Sequence, residues 1–241
     1  MTEETPAGEQ PWIRRKLYGR RKGKALKPSQ ERLIGELLPR VNIPGVAGPE
    51  DPDRHPVDLT ALFGDARPVW LEIGFGGGEH LAHQASKNPD VGMIGCEPYV
   101  NGVAKLLAKI DAQGLSNVRV HPSDARDMIE LLPQNSLDRV FVLYPDPWPK
   151  SRHAGRRFIN PGNLDGLQRV MKPGTHLRLA TDIPQYVEHA LEVVEAHEAF
   201  DIATPKKPDW SVAWSDWPGT RYEAKALAAG RSPHYLTFIR K

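Results

Sequence analysis

The run Tyr144-Pro145-Asp146-Pro147-Trp148-Pro149-Lys150 sets a carboxylate, a large aromatic ring and an amine side by side. Its prolines deny the backbone both helix and ladder pairing, which predicts a stiff, extended loop. Leu137–Leu143, just before it, is apolar and β-branched with no helical period, and reads as a buried strand. In open α/β sheets ligands bind at the carboxyl ends of the strands, so Asp146 and Trp148 stand where chemistry is done. Trp148 suits either stacking on a base or packing that fixes the loop. Lys150, Arg152, His153, Arg156 and Arg157 follow directly and suit phosphate contacts.

Three more acids fall at equivalent places. Glu72 lies at the end of an expected strand Val69–Ile73, Glu97 follows Val91–Cys96, and Asp124 follows Val118–His121. The glycine loop after the first strand, Gly74-Phe75-Gly76-Gly77-Gly78-Glu79, resembles a dinucleotide fingerprint except that Glu79 replaces its third glycine. A carboxylate there would occupy the place a pyrophosphate needs. S-adenosylmethionine has no phosphate and carries a sulfonium and an ammonium, so it suits this acid-rimmed loop better. Glu97 is placed to bind ribose hydroxyls and Asp124 to accept from an adenine amino group.

The elements that must position these residues alternate. Helices are expected over Glu79–Ser86, Asn101–Ile110, Asp127–Leu132, Leu164–Met171 and Tyr186–Ala196. A fifth strand over Thr175–Ala180 follows the turn Lys172-Pro173-Gly174, and Pro233–Arg240 forms a last strand. Repeated βα units imply a doubly wound α/β fold with a mostly parallel sheet, covered on both faces. Ahead of it, residues 1–38 hold a basic arm and a short helix capped by Ser29, with Leu33, Ile34, Leu37 and Leu38 on its face. Residues 39–68 are rich in proline and glycine and read as a connector rather than core, leaving 69–241 as the catalytic domain. In the arm, Arg14, Arg15, Lys16, Arg20, Arg21, Lys22, Lys24 and Lys27 arrive without an acid among them. It reads either as a solvated tail or as a segment that orders on a polyanion.

Composition narrows the class. At 241 residues and a mean hydropathy of -0.50, the chain suits one domain with appended segments. No apolar run approaches the roughly 20 residues that span a bilayer, and the charged N-terminus lacks a signal-peptide core. The single cysteine, Cys96, excludes an intrachain disulfide and fits a cytoplasmic setting. It lies in an apolar run and reads as a small buried residue. No His, Cys and carboxylate group has metal-ligand spacing, so no metal is expected.

The pieces Leu71-Glu72-Ile73-Gly74-Phe75-Gly76, Gly95-Cys96-Glu97, Asp124-Ala125, Tyr144 to Lys150, Thr181-Asp182 and Thr220-Arg221-Tyr222-Glu223 together resemble the bacterial tRNA (guanine-N7)-methyltransferases. These are class I, Rossmann-like enzymes dependent on S-adenosylmethionine. The resemblance spans roughly residues 69–241 and implies methylation of guanosine 46 in the tRNA variable loop. It implies a cofactor site formed by Glu72, Gly74, Gly76, Glu97, Asp124 and Asp146, with Asp146 catalytic. It places Lys150, Asp182, Thr220, Arg221, Tyr222 and Glu223 at the substrate, and Arg152, His153, Arg156 and Arg157 on the RNA. tRNA is then the partner, with neither membrane nor metal, and the protein a monomer or homodimer.

Two other readings share some of these features. A methyltransferase of exocyclic amines would keep the cofactor loop but favours an Asn/Asp-Pro-Pro-aromatic loop after strand four, where this chain has Pro145-Asp146-Pro147-Trp148. A non-catalytic RNA-binding module would keep the basic arm without needing the acids.

Overall fold

Short apolar and β-branched runs form one seven-stranded sheet in a computed structural model that describes residues 17–203 and 209–241. The strands are β1 (Val69–Ile73), β2 (Gly92–Cys96), β3 (Val118–His121), β4 (Leu137–Leu143), β5 (Met171–Thr181), β6 (Phe200–Ile202) and β7 (His234–Arg240). Their order is β3-β2-β1-β4-β5-β7-β6. β1 to β5 run parallel, whereas β7 enters antiparallel between β5 and β6. Every residue of β1 and β2 is buried, as a strand covered on both faces must be.

Helices supply that cover. α1 (Pro28–Glu36), α2 (Leu38–Val41), α4 (Glu79–Lys87) and α5 (Val100–Gln113) pack against Trp70, Met93 and Phe141. α3 (Leu59–Phe63), α6 (Ala125–Leu131), α7 (Pro161–Val170) and α8 (Pro184–Glu195) pack against Leu71, Ile94, Val140 and Leu177 on the other face. The chain closes with α9 (Arg221–Ala228) before β7. The doubly wound, mostly parallel α/β fold expected from the alternation is the fold observed.

Three local expectations are corrected, and one strand is added. Lys27, not Ser29, precedes the first helical turn, because Pro28 has a backbone torsion suited to the first helical position and no amide to satisfy there. Residues 39–68 are more than a connector. Ile43 and Val57 are buried in the core, the Val57 amide donates to the Leu131 carbonyl at 2.9 Å, and Asp58 caps α3 through the Ala61 amide at 3.0 Å. The turn Lys172-Pro173-Gly174 does not precede the fifth strand but interrupts it. Pairing jumps from Leu137–Met171 to Arg139–His176, with Gly174 at φ 79°. β6 was not anticipated, since three residues show no period.

Arg14, Arg15 and Lys16 of the basic arm lie outside the described residues. Among the described residues no helix is long and apolar enough to cross a membrane, and no His, Cys, Asp and Glu group could hold a metal ion.

Candidate active site

A cavity of about 570 Å³ opens at the carboxyl ends of β1 to β4. Gly74 (φ 71°) and Gly76 (φ 56°) turn the loop after β1 through conformations closed to most side chains. A Cβ at Gly102 would stand 2.2 Å from the Gly76 carbonyl oxygen, so the start of α5 can close on this loop only with glycine there. Glu97 leaves β2 into the cavity. Its two carboxylate oxygens accept from the Gly76 amide at 2.7 Å and the Tyr99 amide at 2.9 Å. Burial pushes its carboxyl above the ordinary value. Each oxygen retains a second lone pair for a ligand hydroxyl.

Asp124 caps α6, accepting from the Arg126 amide at 3.0 Å. The Arg126 guanidinium also grips both of its oxygens, at 2.5–3.0 Å. Asp124 therefore reaches the cavity with Arg126 attached, and both line it. Nothing in the sequence reading singled out Arg126, although its position two residues past a helix cap is the available signal. Glu72 is not on the cavity wall. Alternation along β1 turns it to the α4 side, where it accepts from His80 Nδ1 at 2.7 Å with both residues 2% exposed. The His80 ring packs against Phe141 and Trp217, with centroids 4.6 and 5.2 Å away.

The proline loop after β4 bends more than an extended segment would. Tyr144 and Trp148 hold φ of 50° and 41°, although neither is glycine and each precedes a proline. Such left-handed residues cost about 1–2 kcal/mol each and persist only where neighbours impose them. The Tyr144 amide donates to the Ala180 carbonyl at 2.7 Å. Arg157 donates from Nε to the Pro147 carbonyl at 3.0 Å and from Nη2 to the Trp148 carbonyl at 3.3 Å. Arg157 is buried, so it secures the loop rather than facing RNA. Asp146 and Trp148 line the cavity, and partial burial pushes the Asp146 carboxyl up. Arg156 lies over Trp148 at 5.1 Å and His153 packs edge-on to the same ring at 5.8 Å. Lys150 and Arg152 are exposed beside the cavity rather than in its wall.

The remaining wall arrives from far along the chain. Asp216 receives Arg178 at 2.7 Å and Arg139 at 3.2 Å, pinning its segment to the sheet. Trp214, Trp217 and Tyr235 meet edge to face beside it. That segment delivers Thr220, whose hydroxyl accepts from the Glu223 amide at 3.2 Å and so starts α9. The Glu223 carboxylate accepts from Trp217 Nε1 at 2.5 Å and lies 3.5 Å from the Tyr144 hydroxyl. Burial and this carboxylate together push the phenols of Tyr144 and Tyr235 far up. Arg221, Tyr222 and Lys225 project from the first turns of α9 into the cavity wall. The rings of Tyr222 and Tyr144 are near-parallel, 6.4 Å apart between centroids. Asp182 stays off the wall, accepting from Arg231 Nε at 2.5 Å. One cavity thus joins Gly74, Gly76, Glu97, Asp124, Asp146, Arg156, Arg221 and Tyr222, while Thr220 and Glu223 set the helix that carries the last two.

A family model described as "Putative methyltransferase" matches residues 66–236. The tRNA (guanine-N(7)-)-methyltransferase of Paracoccus denitrificans is 54% identical over 228 residues, covering 95% of this chain and 96% of its own. That of Ruegeria pomeroyi is 54% identical over 240 residues, covering 100% and 99%. The chain belongs to the tRNA (guanine-N7)-methyltransferase family. Membership in the tRNA (guanine-N7)-methyltransferases extends through the basic arm and the proline-rich stretch, ahead of the motifs between Leu71 and Glu223. The solved structure of 16S rRNA methyltransferase KamB superposes with a TM-score of 0.53 at 19% identity, over 83% of this chain and 99% of its own. That likeness is one of fold.

Proposed function

We infer that this chain transfers a methyl group from S-adenosylmethionine to N7 of guanine in tRNA, with guanosine 46 of the variable loop as its target. The observation that carries the reading is the single cavity in which Glu97 and Asp124 share a wall with Asp146 and Tyr222. The donor supplies an electrophilic methyl on a positively charged sulfur. Glu97, Asp124 and Asp146 suit its hydroxyls, amino groups and charge. Glu79, the first residue of α4, stands where a pyrophosphate would be drawn, with its carboxylate 4.0 Å from Arg221 Nε. A dinucleotide fits poorly there.

Guanine N7 presents an in-plane lone pair and has no proton to lose. The chain therefore needs no general base, and its task is alignment and electrostatic support for a base that becomes cationic. Asp146 suits that task, since it lies on the cavity wall just beyond the carboxyl end of β4. Asp182 and Glu223 are engaged by Arg231 and Trp217, and they act by holding the wall in shape. The exposed Tyr222, beside Tyr144, offers a face on which a flipped base can stack. Lys150 and Arg152, exposed on the segment after Trp148, and Arg156 over the Trp148 ring suit tRNA phosphates.

Methylation of a tRNA by the purified chain with labelled S-adenosylmethionine, followed by borohydride and aniline cleavage, tests this reading. Strand scission at position 46 is expected. Label incorporated into a tRNA with adenosine at that position would overturn the assignment.

A further inference from the structure

We propose that the N-terminal arm completes the S-adenosylmethionine site, with Leu17 to Arg20 forming one of its walls and Asn101 holding them there. The proposal rests on the cofactor reading above. Leu17, Tyr18, Gly19 and Arg20 line the same cavity as Glu97, Asp124 and Asp146, although about 50 residues or more separate them from any strand of the sheet in sequence.

The docking is built into the start of α5. Tyr99 is the N-cap of this helix, and its side chain caps nothing. The first turn of a helix leaves amides without intrahelical partners, and here the arm provides one. The Val100 amide donates to the Arg21 carbonyl at 3.0 Å. Asn101 then engages the arm with both ends of its side-chain amide. Its Oδ1 accepts from the Gly23 amide at 2.8 Å, and its Nδ2 donates to the Lys24 carbonyl at 2.7 Å. Gly23 sits so close that a Cβ there would stand 2.1 Å from the Tyr99 hydroxyl oxygen.

From this anchor the chain crosses the cavity. At Gly19 (φ 121°) a Cβ would stand 3.4 Å from Asp146 Oδ2, so the backbone passes directly over that carboxylate. The Tyr18 ring then meets Trp148 edge-on at 5.8 Å, and the Arg156 guanidinium lies 4.3 Å from the Tyr18 ring centre. The arm therefore bridges the loop after β2 and the loop after β4, which are the two edges of the donor's berth. A ligand placed between Glu97 and Asp146 gains Tyr18 as contact surface, and its presence holds the arm down. Donor binding and arm docking become one event.

The test uses the full chain and S-adenosylmethionine itself. Tyr18→Ala removes the wall, Asn101→Ala removes the anchor without touching the wall, and Glu97→Ala serves as reference. Calorimetric titration should show donor affinity falling roughly three- to tenfold in each arm variant, the scale of one lost aromatic contact. Hydrogen exchange at the amides of residues 19–23 should slow when donor is added to wild type and respond less in Asn101→Ala. Unchanged or tighter donor binding in both arm variants, with binding lost in Glu97→Ala, would overturn the proposal and leave the cofactor reading intact. A wild-type chain that binds no S-adenosylmethionine would overturn both.

Discussion

Asp146, on the cavity wall, is the residue to which the proposed chemistry is assigned. Asp146→Asn keeps its size and removes its charge. Single-turnover methylation should slow by about 10²-fold, the scale of one preorganised electrostatic contact, with donor affinity less affected. Because N7 carries no proton, the wild-type rate should show no ascending limb between about pH 6 and 8, the mark of a histidine base. A fully active Asp146→Asn enzyme, or a clear titration of the chemical step in that range, would remove Asp146 from this role. Glu97→Ala should weaken donor binding by about 2–4 kcal/mol through lost charge-assisted hydrogen bonds, while NADH gives no isotherm with either protein. Burial raises the Glu97 carboxyl. Donor affinity should therefore begin to fall, on acidification, at a higher pH than an ordinary carboxylate would dictate. The place of Glu97, Asp124 and Asp146 on the cavity wall was legible in the sequence because each follows a recognisable strand, and cavities in open α/β sheets form at strand ends. Glu72 was misplaced because its strand is buried on both faces, so period-two alternation left no polar pattern to say which way it turned. Its partner His80, and the pairing of Arg126 with Asp124, depend on neighbours that only the folded chain defines.

The loop after β4 and the start of α9 are the elements that shape the site. Arg157 fastens the first of these through the Pro147 and Trp148 carbonyls. Arg157→Ala should release Trp148 from its left-handed backbone, lowering turnover far more than donor affinity. Global stability should fall by about 1–3 kcal/mol, the cost of leaving such groups unpaired. Denaturant unfolding alongside single-turnover kinetics separates the two effects. If turnover stays intact, the loop does not depend on this residue. At α9, Thr220→Ala should cost about 1 kcal/mol through the lost cap, and Thr220→Ser should restore it. Strands β1 to β4 and the helices between them were readable because strong apolar periods recur. α9 was read only as a motif, because Ala226 is its sole buried residue and offers no stripe. The interruption in β5 was read as the strand's boundary, since Pro173-Gly174 marks a turn without saying whether pairing resumes from an earlier residue.

Across the whole molecule, charge decides two further outcomes. His121 is 3% exposed at the end of β3, and burial lowers its pKa from 6.5 to about 4 despite the nearby Asp124. Between those values the unfolded chain takes up a proton that the folded chain refuses. Stability should be fully present above about pH 6.5 and decline as pH falls towards 4, by on the order of 3 kcal/mol in total. Urea unfolding at pH 7 and pH 5 should show about 2 kcal/mol of this loss in wild type and a shallower one in His121→Gln. An equal slope in both would assign the acid sensitivity elsewhere. The arm offers the second outcome. Arg20, Arg21, Lys22 and Lys24 are exposed while their backbone is anchored. Neutralising those that touch phosphate should reduce the log–log salt slope of tRNA binding by roughly 0.7–0.9 per contact. An unchanged slope would mean that these cations face solvent in the complex as well.

Cys96 adjoins the cavity beside Glu97 but takes no part in the proposed chemistry, and that makes it useful. It is the chain's single cysteine, 1% exposed on β2, and burial pushes its thiol well above the ordinary value. An alkylating reagent needs a thiolate and a path to it, and the folded molecule offers neither. Labelling can proceed only during the moments when β2 comes free of the sheet. The next residue is Glu97, so a ligand gripping that carboxylate must depart before the strand opens. Labelling should then slow by the factor 1 + [L]/Kd as ligand is added. One inert thiol thereby becomes a stopwatch for cofactor binding, running without RNA and without a single methyl transfer.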